Sequence, residues 1–215
     1  MKSITAKKPF EEIKETIKGI EKVFLVGCGT CATMCHTGGV QEVLEMKEEL
    51  EKAGKKVTGW LVPPVTCDEL TKDALRDNME AVKEADALLV MSCAFGVHSL
   101  VIFSDKPVYP ATNTLFIGKE DTPGQFSKVC IQCGECILAL TGGICPISRC
   151  AKQLLNGPCG GAKGGKCEIS LDMPCAWQLI IERLSKMGCL DKLEEISPVK
   201  NWGRNLNSRL QIQRS

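Results

Sequence analysis

Residues 22–54, KVFLVGCGTCATMCHTGGVQEVLEMKEELEKAG, decide the fold. Val23 to Val26 is a short apolar run ended by a glycine, which reads as a buried strand. Gln41 to Ala53 places Val43, Leu44, Met46 and Leu50 at roughly helical spacing, and Gly54 suits its C-cap. Between strand and helix lies a turn carrying Cys28, Cys31 and Cys35. That order opens a βαβ unit.

The pattern repeats downstream. Lys56 to Leu61 and Ala87 to Met91 read as further strands, Thr114 to Ile117 as a weaker one, and Thr71 to Ala85 as a second helix. The expected fold class is therefore α/β, with a small parallel flavodoxin- or Rossmann-like sheet. Ligands of such sheets sit at the carboxyl ends of the strands. Cys28, Cys31 and Cys35 follow the first strand, Cys67 the second and Cys93 the third, so all five thiols should gather along one edge.

After Asp121 the character changes. Eight cysteines fall in the 46 residues from Cys130 to Cys175, interleaved with glycines. Such a segment has little apolar material for a core and is expected to fold around metal. A helix over Asp172 to Lys186, with Asp172 as N-cap, should seal it. The expected divisions are an α/β domain over 1–120, a Cys-rich module with its sealing helix over 121–196, and a basic tail over 197–215. The tail carries Lys200, Arg204, Arg209 and Arg214 without an acidic residue. It reads as either a frayed end or an arm laid on a partner.

Composition narrows the function. With 27 basic against 26 acidic residues there is no global field for nucleic acid or anionic lipid. No stretch approaches the roughly 20 apolar residues that span a bilayer, and the polar N-terminus lacks a cleavable leader pattern, so a cytoplasmic protein is expected. Fourteen cysteines in a reducing compartment point to metal rather than disulfides.

The strongest local motif is Cys130-Ile-Gln-Cys133-Gly-Glu-Cys136, whose spacing lets three thiolates wrap one corner of a 4Fe–4S cubane. Cys145, followed by Pro146, is the first choice for the fourth ligand, although its eight-residue gap exceeds the three of bacterial ferredoxins. Cys150, Cys159, Cys167 and Cys175 supply four more thiolates at even spacing, open to a second cluster, a zinc ion or shared ligands. In the first half, Cys28, Cys31 and Cys35 with Cys93 as fourth ligand can complete another 4Fe–4S site, leaving Cys67 as a further metal ligand. A thioredoxin-type dithiol of Cys28 and Cys31 is the competing chemistry, and Cys35 argues against it. His36 and His98 lie beside this site, where either could ligate metal or hydrogen-bond a sulfide, and they read rather as supporting or surface residues; Cys189 reads as a free thiol. No Ser/His/Asp set, phosphate loop or carboxylate pair stands out, so electron transfer is the expected role.

Taken together, VGCGTCATMCHTGG, Cys93, CIQCGECILALTGGICPISRC, LLNGPCGGAKGGKCE and PCAW resemble the MetV-type small subunit of bacterial methylenetetrahydrofolate reductase, over nearly the whole chain. The resemblance implies a heteromeric complex with a MetF-type flavin barrel that holds FMN and binds methylenetetrahydrofolate. In such a complex this subunit relays electrons through two 4Fe–4S clusters from ferredoxin or another redox subunit, and the product is methyltetrahydrofolate on the Wood–Ljungdahl pathway. Zinc binding is also described for the family, and the surplus thiols leave room for zinc or a third cluster. A zinc scaffold subunit and a stand-alone thiol oxidoreductase are the alternatives.

Overall fold

The computed structural model describes residues 2–205. After a strand (β1, Lys2–Lys7) and a short helix (α1, Phe10–Thr16), the apolar run forms β2 (Lys22–Val26). The cysteine turn holds one helical turn (α2, Cys31–Met34), followed by α3 (Val40–Lys52) and β3 (Lys56–Leu61). Two short helices (α4, Thr71–Asp77; α5, Met79–Glu84) lead to β4 (Ala87–Val90), α6 (Ala94–Phe103) and β5 (Val108–Pro110).

Strands β2, β3, β4 and β5 form a parallel sheet in the order β3-β2-β4-β5. β2 and β4 occupy the centre because their side chains are apolar on both faces, as parallel strands covered by helices must be. Val23, Leu25 and Leu89 face Ile13, Ile17, Val43, Met46 and Leu50 from α1 and α3 and their flanks. Phe24, Val26, Leu88 and Val90 face Leu75, Val82 and Leu100 from α4, α5 and α6. The alternation is the period of two expected for strands.

Helix α3 ends as its sequence suggests. Gly54 adopts φ +82°, its N–H donates to Glu51 O, and the Lys55 N–H donates to Leu50 O at 2.9 Å. These bonds make a Schellman motif.

The fourth strand of the parallel sheet is Val108–Pro110, whereas 114–117 lies inside β6 (Thr112–Thr122), antiparallel to β1. β6 is largely exposed, with only Thr112 and Gly118 buried, which an antiparallel strand outside the helix-covered sheet tolerates. The single helix expected over 71–85 breaks at Asn78, whose side-chain amide donates to Ala74 O at 2.9 Å. The N-terminal segment is a strand rather than a polar lead-in; Ser3, Ile4 and Thr5 are buried, and the Thr5 and Thr37 hydroxyls bond at 2.6 Å.

The chain divides into two compact units, Met1–Phe126 and Ser127–Ser215. Strand β7 (Gln125–Cys130) follows β6 and carries the chain from one into the other. The second unit holds a helical turn (α7, Pro146–Arg149), a short antiparallel pair (β8, Lys166–Cys167; β9, Ser170–Pro174) and α8 (Ala176–Lys186). Its core is small: Trp177, Ile180 and Leu184, with Ile144, Leu154, Leu193, Cys150, Cys175 and Cys189 against them. Helix α8 starts at Ala176 with Cys175 as N-cap, not at Asp172, because 170–174 is drawn into the β pair.

The first part of the basic stretch is neither frayed nor extended. Ser197 exchanges two 2.9 Å hydrogen bonds with the Asn156 side chain, and Lys200 is buried. Arg204 falls in a short 3-10 turn, Trp202–Asn205; Arg209 and Arg214 lie outside the described residues.

Candidate metal centres

The order of the parallel sheet reverses about β2 and β4, and the crevice outside their carboxyl ends is where such sheets bind ligands. Cys28 follows β2 and Cys93 follows β4; both are buried. The turn after β2 is held by its backbone. Gly27 N donates to Leu61 O at 2.9 Å, Cys28 N to Gly38 O at 2.8 Å and Gly29 N to Pro63 O at 2.8 Å. Hydroxyls fix the neighbouring turns: Thr33 donates to Cys28 O at 2.8 Å, Thr30 to Pro64 O at 2.6 Å, and Thr66 to Gly27 O.

The outcome is a cavity of about 440 Å³ whose wall includes Cys28, Cys31, Cys67 and Cys93, with Thr66, Phe95 and His98. Three strand ends thus deliver four thiols to one space. Cys35 is the fifth; its Sγ lies 4.0 Å from Ser3 O rather than on the cavity wall. His36 is left-handed (φ 51°) and largely exposed, 3.6 Å from the buried Glu42 carboxylate.

The thiols differ electrostatically. Burial raises Cys28, yet backbone bonds from Thr66, Thr30 and Ala32 and the Thr66 hydroxyl outweigh it and hold the thiol below its ordinary value. Cys31 is pushed up, first by burial and then by Cys93, Cys28 and Cys35. Cys67 is raised by burial and then by Cys93, Cys28 and Cys31.

In the second unit, Cys150, Cys159, Cys167 and Cys175 line one small pocket with Lys152, Glu168 and Trp177. The volume, about 20 Å³, exceeds only slightly the ~10–15 Å³ that admits a water. Glu168 pairs with Lys152 and accepts from Cys159 Sγ at 3.4 Å; its carboxylate is held below its ordinary value first by Lys152 and then by Cys159.

The Cys130–Cys136 loop turns through left-handed Gln132 (φ 58°) and Gly134 (φ 76°), and Gln132 N–H points at Cys130 Sγ from 3.2 Å. Ser148 Oγ donates to Val129 O at 2.8 Å and lies 3.5 Å from Cys145 O, which ties the Cys145 turn to the strand that ends in Cys130. Cys189, the expected free thiol, packs against the Trp177 core.

All fourteen cysteines are free. Among the described residues, no three Cys, His, Asp or Glu side chains already converge as a single ion requires. Zinc holds sulfur at about 2.3 Å, so thiols ranged around a 440 Å³ wall do not grip one ion, whereas a cubane takes one thiolate on each of four irons. The first cavity fits a cluster in donor number, softness and room. The loop of Cys130, Cys133 and Cys136 fits one through its amide-to-sulfur contact. The 20 Å³ pocket has room for a single ion and none for a cubane.

Ser148, Thr66, Lys152, Glu168 and Lys200 carry no motif and were not legible as site residues; only Thr66 and Glu168 stand beside a cysteine in sequence.

Fold and thiols define a cysteine-rich α/β protein with free cysteines gathered in each of two units. Residues 109–203 match the family model described as methylene-tetrahydrofolate reductase C terminal, which supports the resemblance over that stretch. No curated protein and no solved structure matches the chain. No helix among the described residues is long and apolar enough to cross a membrane.

Proposed function

We propose that this chain is the iron–sulfur electron-transfer subunit of a methylenetetrahydrofolate reductase, delivering electrons to the FMN of a MetF-type barrel in the cytoplasm. The observation that carries the reading is the meeting of Cys28, Cys31, Cys67 and Cys93 from three strand ends on one 440 Å³ cavity. A bound 4Fe–4S cluster would supply one-electron chemistry there, and the protein's part is to present four thiolates to one space. Cys28 is suited to ligation because backbone bonds favour its thiolate. The loop of Cys130, Cys133 and Cys136, with Cys145 tied in through Ser148, is the second cluster site in this reading.

Reducing methylenetetrahydrofolate to methyltetrahydrofolate consumes two electrons and two protons. One-electron carriers supply the electrons in succession from ferredoxin or another redox subunit, and the substrate and flavin stay on the partner.

A second metal reading has its own observation. The small pocket of Cys150, Cys159, Cys167 and Cys175 suits a zinc ion better than a cubane, so zinc beside iron is the expected content.

Anaerobic purification with iron, sulfide and zinc analysis, and EPR of the dithionite-reduced protein, tests both. Two cubane signals and about one zinc per chain are expected. Cys67→Ser should lose one iron signal and keep zinc. A colourless protein with zinc and no acid-labile sulfide would instead mean a scaffold subunit.

A further inference from the structure

Lys200 is 7% exposed, an uncommon place for an ammonium. Its Nζ donates to the backbone carbonyl of Glu135, 65 residues earlier in the chain. Glu135 lies between Cys133 and Cys136, so this contact reaches the middle of the thiol-bearing loop. The next residue joins it: Asn201 N–H donates to the Glu135 carboxylate at 2.9 Å. The approach is fixed further back, where Asn156 clamps both backbone groups of Ser197. A three-point strap thus ends on the Cys130–Cys136 loop.

Two physical effects follow. A carbonyl that accepts from an ammonium polarises its peptide, and the N–H of the Glu135–Cys136 peptide, which belongs to Cys136, becomes a stronger donor. A buried positive charge held on the loop that carries the thiols also favours the more negative, reduced state of whatever they hold.

We propose that Lys200 is a positioning and potential-setting residue for the Cys130–Cys133–Cys136 site, its ammonium holding the loop through the Glu135 carbonyl and raising the reduction potential of the bound cluster. The inference rests on the cluster reading of that loop.

The test uses the full chain in a Cys28→Ser/Cys93→Ser background, so that the second unit supplies the iron signal. EPR-monitored redox titrations compare this parent with Lys200→Met and Lys200→Arg added. At the parent's midpoint, Lys200→Met should lower the reduced-to-oxidised ratio by about fivefold or more, where tenfold is about 59 mV for one electron. Lys200→Arg should stay within about twofold of the parent, since it keeps the charge and the donors. Iron lost from Lys200→Met but kept in Lys200→Arg also supports the proposal. An unchanged midpoint in Lys200→Met, or iron lost from both, overturns it. A parent without iron overturns the cluster reading, and this inference with it.

Discussion

Cys28 and Cys31 stand three residues apart in one turn, yet their environments push them in opposite directions. Burial acts on both, and only Cys28 has enough hydrogen bonds to overcome it. A thiol that is neutral when protonated releases its proton earlier in the folded chain if its value is lowered and later if it is raised. In the metal-free protein, ultraviolet thiolate titration should show one component below the ordinary cysteine range and others above it. Cys28→Ser should remove the early component, and Cys31→Ser or Cys67→Ser a late one; an early component that survives Cys28→Ser would contradict the assignment. The gathering of these thiols was legible because parallel strands bring their carboxyl ends to one side. Which four share a wall was not, because it depends on the helical turn of α2, which ends at Cys35 and leaves its Sγ at the Ser3 carbonyl while Cys67 reaches the wall from the loop after β3.

At the scale of elements, β2, β3, β4 and α3 could be read directly, since buried apolar runs and helical spacing leave a strong signal. β1 could not: Lys2–Lys7 is KSITAK, whose burial depends on partners in β6 and on Thr37. The start of α8 was misread for a related reason, since Asp172 is a good cap in isolation and is captured by β8 instead. The turn after β2 shows how closely elements constrain the site. A Cβ on Gly38 would overlap the Met91 carbonyl, and one on Gly27 the Gly38 carbonyl, so turn and β4 end approach backbone to backbone. Met91 precedes Cys93 by two residues, and Cys28 N–H bonds to Gly38 O. Gly38→Ala should therefore force the Cys28 turn away from the end of β4, destabilising the fold by about 1–3 kcal/mol as overpacking does. Denaturant unfolding and iron content should fall together, with zinc retained; full iron content in Gly38→Ala would show that the cavity tolerates the shift.

For the whole molecule, the proposed role requires a face through which electrons can pass to a partner. Helix α6 is apolar along almost its whole length, AFGVHSLVIF, a composition normally found in helices buried on every side. Gly96 and Leu100 are buried, but Phe95, Val101 and Ile102 are 48%, 56% and 64% exposed. Phe95 and His98 also belong to the wall of the thiol cavity, so the exposed side of α6 continues from the proposed cluster site. An electron carrier needs its partner close to the cluster, and apolar surface beside the site gives that partner something to bury. With the MetF-type flavin barrel co-expressed under anaerobic conditions, the two chains should elute as one species at micromolar concentration. Ile102→Glu should weaken that association at least tenfold while leaving iron content and EPR signals intact, because Ile102 is not on the cavity wall. Co-elution unaffected by Ile102→Glu would move the contact elsewhere, and separate elution of the unaltered chains would remove the barrel as its stable partner.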